Sequence, residues 1–174
     1  VSAANAIQSS VVAYNAIDPG QVSVAFGEVE VLGTQSITKS IAIKNKSTTT
    51  PATYTVTFDS RYQANPGLTF TLLDAYNNVL SNPVTVPAFS TIEIRVKVDI
   101  DAALLTRGRD GTISIANSRQ RFSESGGYVT FTPVSATAAL RVPVHIAARP
   151  ASDMSVAETG IVLPATATGT LSLT

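Results

Sequence analysis

Ile92, Ile94, Val96, Val98 and Ile100 alternate with Glu93, Arg95, Lys97 and Asp99. Successive side chains of a strand point to opposite faces, so this spacing puts every β-branched residue on one face and every charge on the other. A half-buried antiparallel strand is predicted there. The same period of two recurs at Val22, Val24 and Phe26, at Ile37, Ile41 and Ile43, at Tyr54, Val56 and Phe58, and at Leu68, Phe70 and Leu72. It returns at Ile113 and Ile115, at Val129 and Phe131, and at Leu140, Val142, Val144 and Ile146. Turn-forming clusters separate these segments: residues 45–51, Asn65-Pro66-Gly67, Asn77-Asn78, Ser81-Asn82-Pro83, Asp110-Gly111 and Ser125-Gly126-Gly127. Many short strands with turns between them predict an all-β antiparallel sandwich of about eight or nine strands.

Three places break the alternation. Residues 1–9 are small and Ala-rich with Ala3, Ala6 and Ile7 at helical spacing, which predicts a short N-terminal helical remnant. Asp101 precedes Ala102-Ala103-Leu104-Leu105, and its carboxylate is placed to accept from the free backbone N–H groups of a single helical turn. Between Phe26 and Val29 the inward parity changes across Gly27, which predicts a bulge, or a bend carrying the strand from one sheet to the other. The expected organisation is therefore the end of a preceding domain and a linker over 1–20, a sandwich over 21–150, and a linker with the start of a following β unit over 151–174.

The order of several short stretches resembles a known arrangement. Val1-Ser2-Ala3-Ala4-Asn5-Ala6-Ile7 is similar to the stretch that ends the catalytic domain of subtilisin-like serine proteases. Residues 24–27, 41–54, 86–98 and 126–132, with Leu140-Arg141-Val142-Pro143-Val144 and Arg149-Pro150-Ala151 behind them, resemble the fibronectin type III-like, immunoglobulin-like accessory domain that follows that catalytic domain in large secreted bacterial subtilases. The resemblance implies a non-catalytic, extracellular or cell-surface domain. Its implied partners are a subtilase catalytic domain in cis and a protein substrate. It carries no catalytic residue across, because the family's Gly-Thr-Ser-X-Ala motif does not occur in this chain.

Composition narrows the function classes further. Twelve Lys and Arg balance twelve Asp and Glu, so no excess positive field serves a phosphate backbone or an anionic membrane, and no nucleic-acid partner is expected. No run of 18 apolar residues is present, so no membrane insertion is expected. The chain has no Cys and a single imidazole, His145, which the alternation places on a polar strand face between Val144 and Ile146. A hydroxyl nucleophile needs a base in hydrogen-bond reach, so an enzyme in its own right is disfavoured, and no cofactor is expected.

The remaining candidates are weak. Asp99 and Asp101 lack the further acids and the glycine of a dedicated calcium loop, so a cap and a solvated charge are expected and no metal site. Glu28 and Glu30 fall on one outer strand face rather than across a reacting bond. The Asn45-Lys46-Ser47 sequon is expected in an accessible turn and is read as chance. Residues 117–127 form the most irregular segment, and Arg119, Arg121 and Phe122 within it are the candidate partner contact. A free-standing adhesion or carbohydrate-binding module is the alternative function. It needs exposed aromatics set out as a platform, whereas Trp is absent and Tyr62, Tyr76 and Tyr128 are scattered.

Overall fold

A computed structural model describes residues 9–61, 65–106, 123–135 and 138–154. They form nine strands and no helix: β1 (Val11–Asn15), β2 (Val24–Val31), β3 (Thr34–Asn45), β4 (Ala52–Ser60), β5 (Leu68–Leu73), β6 (Val84–Val86), β7 (Thr91–Asp101), β8 (Ser123–Pro133) and β9 (Leu140–Pro150). One sheet has the order β1-β3-β7-β5 and the other β2-β9-β8-β4-β6. Every pairing is antiparallel except β2 with β9, which is parallel. Taken in chain order, β1-β3-β7-β5 and β9-β8-β4 repeat the A-B-E-D and G-F-C sheets of an immunoglobulin constant-type sandwich. The fold is therefore an immunoglobulin-like β-sandwich, as the alternation predicts.

The two strands added to that plan close the sides. After β1 the chain leaves the first sheet and becomes β2 at the edge of the second; after β5 it leaves the first sheet again and becomes β6. Each lateral edge is thus shared between consecutive strands on opposite sheets, which shortens the exposed row of backbone groups on either sheet. The sandwich begins at Val11, ten residues before the boundary expected at 21, because Val11 to Asn15 pair with Asn45 to Ile41 of β3. The sheet change also falls in residues 16–23. At Gly27 there is a bulge within one sheet, where the β2–β9 register shifts between Ala25 and Gly27 and Gly27 takes a φ of 78°. The helical remnant, the strand around Ile113 and Ile115, and the β unit after residue 154 lie outside the described residues.

Alternation delivers the core. Ile41, Ile43, Ile94, Val96, Val98 and Ile100 of the first sheet meet Tyr54, Val56, Val129, Phe131, Val142, Val144 and Ile146 of the second, all buried. Tyr54 and Phe131 meet edge to face at 6.0 Å, and Phe58 stacks on Phe70 at 4.4 Å where β4 crosses to β5.

Asparagine amides organise four of the connections that cross between sheets. Asn15 Oδ1 accepts from the Ile17 and Asp18 N–H groups while its Nδ2 donates to the Ser23 carbonyl, which sets the β1–β2 crossing. Asn45 Nδ2 donates to the Thr50 and Val86 carbonyls and its Oδ1 accepts from Ser47 N. Asn65 does the same between Gly67 and Thr106. Asn82 pairs both backbone groups of Val56, at 2.8 and 3.0 Å, and so substitutes for a strand partner just beyond β6. The burial of Asn45, 1% exposed with its amide committed, corrects the expectation of an accessible sequon.

Candidate functional site: poles, cleft and outer faces

The strand directions define two poles. The β3–β4, β6–β7 and β8–β9 connections share one pole with the start of β1, where Val11 lies opposite Asn45. The β2–β3, β4–β5 and β7–β8 connections share the other with the end of β9, where Ala151 N donates to the Val31 carbonyl at 2.9 Å. The chain enters the sandwich at the first pole and leaves it at the second. Phe89 marks the first pole, 77% exposed with a φ of 51° that a bulky side chain rarely adopts. Its N–H donates to the Ser47 carbonyl at 2.7 Å, which holds the β6–β7 loop against the β3–β4 turn.

Arg119, Arg121 and Phe122 lie outside the described residues. The connection that carries them joins the end of β7 to the start of β8, at the second pole. At the second pole, between the end of β7 and the starts of β3 and β5, a cleft of about 360 Å³ is lined by Ser36, Gly67, Thr69, Asp99, Asp101 and Leu104, among others.

The cleft's carboxylates are already engaged. Asp101 Oδ1 accepts from Ala103 N at 3.0 Å, so this residue caps the single turn after β7 as its sequence context predicts. Asp99 accepts from the Ser36 hydroxyl and pairs with Lys97 at 2.9 Å. The hydrogen bond from Lys97, and after it that from Ser36, holds the Asp99 carboxyl below its ordinary range. A cation entering here has to displace Lys97, and among the described residues no three His, Asp or Glu side chains converge as metal ligands. Farther along β7 on the same face, Glu93 takes hydrogen bonds from Arg95 and Ser40, which lower its carboxyl in that order of size. The outer face of β7 thus carries two ion pairs in line, Glu93 with Arg95 and Lys97 with Asp99, flanked by the hydroxyl groups of Ser36, Thr38 and Ser40 on β3 and of Thr69 and Thr71 on β5.

Glu28 and Glu30 both face Arg149 across the parallel β2–β9 pair, with Glu28 at 3.6 Å. They serve as an inter-strand ion cluster. His145 is half-buried on the outer face of β9, opposite Gly126 of β8 and Ala25 of β2.

No protein-family model and no curated protein matches the chain. Among solved structures, the chain is similar to the CooA pilin subunit from enterotoxigenic Escherichia coli, at 13% identity over 82% of this chain and 99% of that one, with a TM-score of 0.47. The N-terminal domain of PorA gives 13% identity over 80% and 96%, again at 0.47. The ASH / PapD-like domain of human CEP192 gives 12% over 83% and 88%, at 0.43. Likenesses of this size carry no inference about partner or activity. The fold assignment rests on the strand order and register of the chain itself.

Proposed function

We propose that the chain is a non-catalytic immunoglobulin-like module of a secreted bacterial protein, placed behind a subtilisin-like catalytic domain that it braces and whose contact with large protein substrates it extends. The observation that carries this reading is the path of the backbone, in at one pole and out at the opposite one. That geometry suits a unit strung within a longer chain, with each pole free to meet what lies next to it. The ordered resemblance over residues 1–151 supplies the identity of the neighbour. Ion pairs and hydroxyl groups fill the outer face of the β1-β3-β7-β5 sheet and leave no activated nucleophile there, which agrees with a role in packing and contact.

The test is deletion of residues 11–150 from the whole protein. The expected result is a lower unfolding temperature for the catalytic domain and a larger loss of casein turnover than of small peptide-anilide turnover. Unchanged stability and an unchanged ratio of the two activities would refute the accessory role.

A further inference from the structure

The outer face of β4, β8 and β9 is a nine-position grid. Register places Thr57, Thr130 and Arg141 in one row and Asp59, Tyr128 and Pro143 in the next. Arg61, Gly126 and His145 form the third, with Arg61 N donating to the Gly126 carbonyl at 3.0 Å. All point outward, because Val56, Val129, Val142, Val144 and Ile146 take the buried parity between them. Tyr128 is the centre, and the two arginines occupy opposite corners.

Both guanidinium groups turn in toward the tyrosine. Arg141 Cζ lies 5.1 Å from the ring centre and Arg61 Cζ 5.6 Å from it. Ion pairs among the described residues join Glu93 to Arg95, Lys97 to Asp99, and Arg149 to Glu28 and Glu30, and neither Arg61 nor Arg141 takes part in one. The grid's one carboxylate, Asp59, accepts instead from Thr130 at 2.6 Å and from Thr57 at 3.4 Å. Gly126 is buried against β9, and no side chain fits there, since an added Cβ would collide with the Val144 carbonyl. The result is a pair of exposed, ring-ordered cations on either side of one tyrosine, in a chain whose net charge is zero.

We propose that this face binds an acidic peptide segment of a partner protein, with Arg61 and Arg141 each taking a carboxylate and Tyr128 packing between them. The two cations lie within about 11 Å of each other, and carboxylates two residues apart, on one face of an extended peptide, are about 7 Å apart at the backbone with side-chain reach to spare. A guanidinium matches a carboxylate as a two-pronged donor, and stacking on the ring fixes its orientation before the ligand arrives. Tyr and Arg are the side chains that dominate protein interfaces. A sugar platform is disfavoured because Tyr128 is the one Phe, Tyr or Trp ring of the grid. The inference stands whether or not a protease precedes the module.

The experiment uses the 174-residue chain and a fluorescein-labelled twelve-residue peptide alternating Glu and Ser, with a Gln-for-Glu peptide as control, read by fluorescence anisotropy at low and high salt. The Glu peptide is expected to bind at least about tenfold tighter than the Gln peptide, with the difference shrinking as salt screens the charges. The double variant Arg61→Gln, Arg141→Gln is expected to lose about tenfold with an unchanged unfolding temperature, and the corresponding double Lys variant to fall between. Equal binding by the Gln variant, no preference for the Glu peptide, or binding of dextran sulfate without binding of the Glu peptide would each overturn the proposal.

Discussion

Replacing Asn45 by Ala probes the most buried of the asparagine ties. The wild-type amide connects three backbone groups on two segments: the Ser47 N–H and Thr50 carbonyl of the β3–β4 turn, and the Val86 carbonyl that ends β6. Alanine removes all three hydrogen bonds at a position 1% exposed, where water cannot readily replace them. At a net ~0.5–1.5 kcal/mol for each bond, with an added penalty for groups left unsatisfied, the loss is about 2–4 kcal/mol. For a domain of this size each kcal/mol moves the midpoint by about 2–4 °C, so Tm is expected to fall by about 4–16 °C. Urea unfolding followed by circular dichroism measures the same loss as a lower midpoint at unchanged slope. A change below about 1 kcal/mol would refute the claim that this side chain holds the turn to β6.

Other expectations concern the sheets. Ser123 is fully buried and its hydroxyl has no hydrogen-bond partner among the described residues, so Ser123→Ala is expected to leave Tm unchanged or raise it, and a fall of several degrees would show an unrecognised partner. An added Cβ at Gly127 collides with the Asp59 carbonyl of β4, so Gly127→Ala is expected to cost about 3 kcal/mol by prising β4 from β8, checked by thermal unfolding. Lowered carboxyls at Glu93 and Asp99 mean that the folded state binds fewer protons than the unfolded one as acid is added. Their stabilisation is complete above the ordinary carboxylate range and is lost as pH falls through the lowered values. Both pairs are about a third exposed, so the loss is at most about 1 kcal/mol per pair and shrinks in salt, which unfolding midpoints at pH 6 and pH 3 with and without salt will read.

What the sequence showed and what it concealed have a common physical origin. β7 and β9 were legible because one face of each is buried along its whole length, and period two follows directly. The bulge at Gly27 showed as a parity change, and the Asp101 cap as a carboxylate ahead of a short Ala-Leu run. β1 carries no alternation and is made a strand by pairing with β3; β6 has three residues between prolines and depends on β4. Asn45 sits among turn residues that look solvated, and only the three-dimensional path of β6 buries it. Arg61, just past the end of β4, is far in sequence from Tyr128 of β8 and Arg141 of β9, so Tyr128 reads as one scattered aromatic until the pairing of β8 with β4 and β9 sets the three side chains on one diagonal.

The placement of this module behind a protease domain is tested most directly by reading the coding sequence immediately upstream of residue 1. The account predicts a Gly-Thr-Ser-X-Ala nucleophile motif within the few hundred preceding codons and a Gly-Ala-Gly turn just before Val1. An upstream region with neither would contradict it, and would leave an immunoglobulin-like module whose neighbour is not a subtilase.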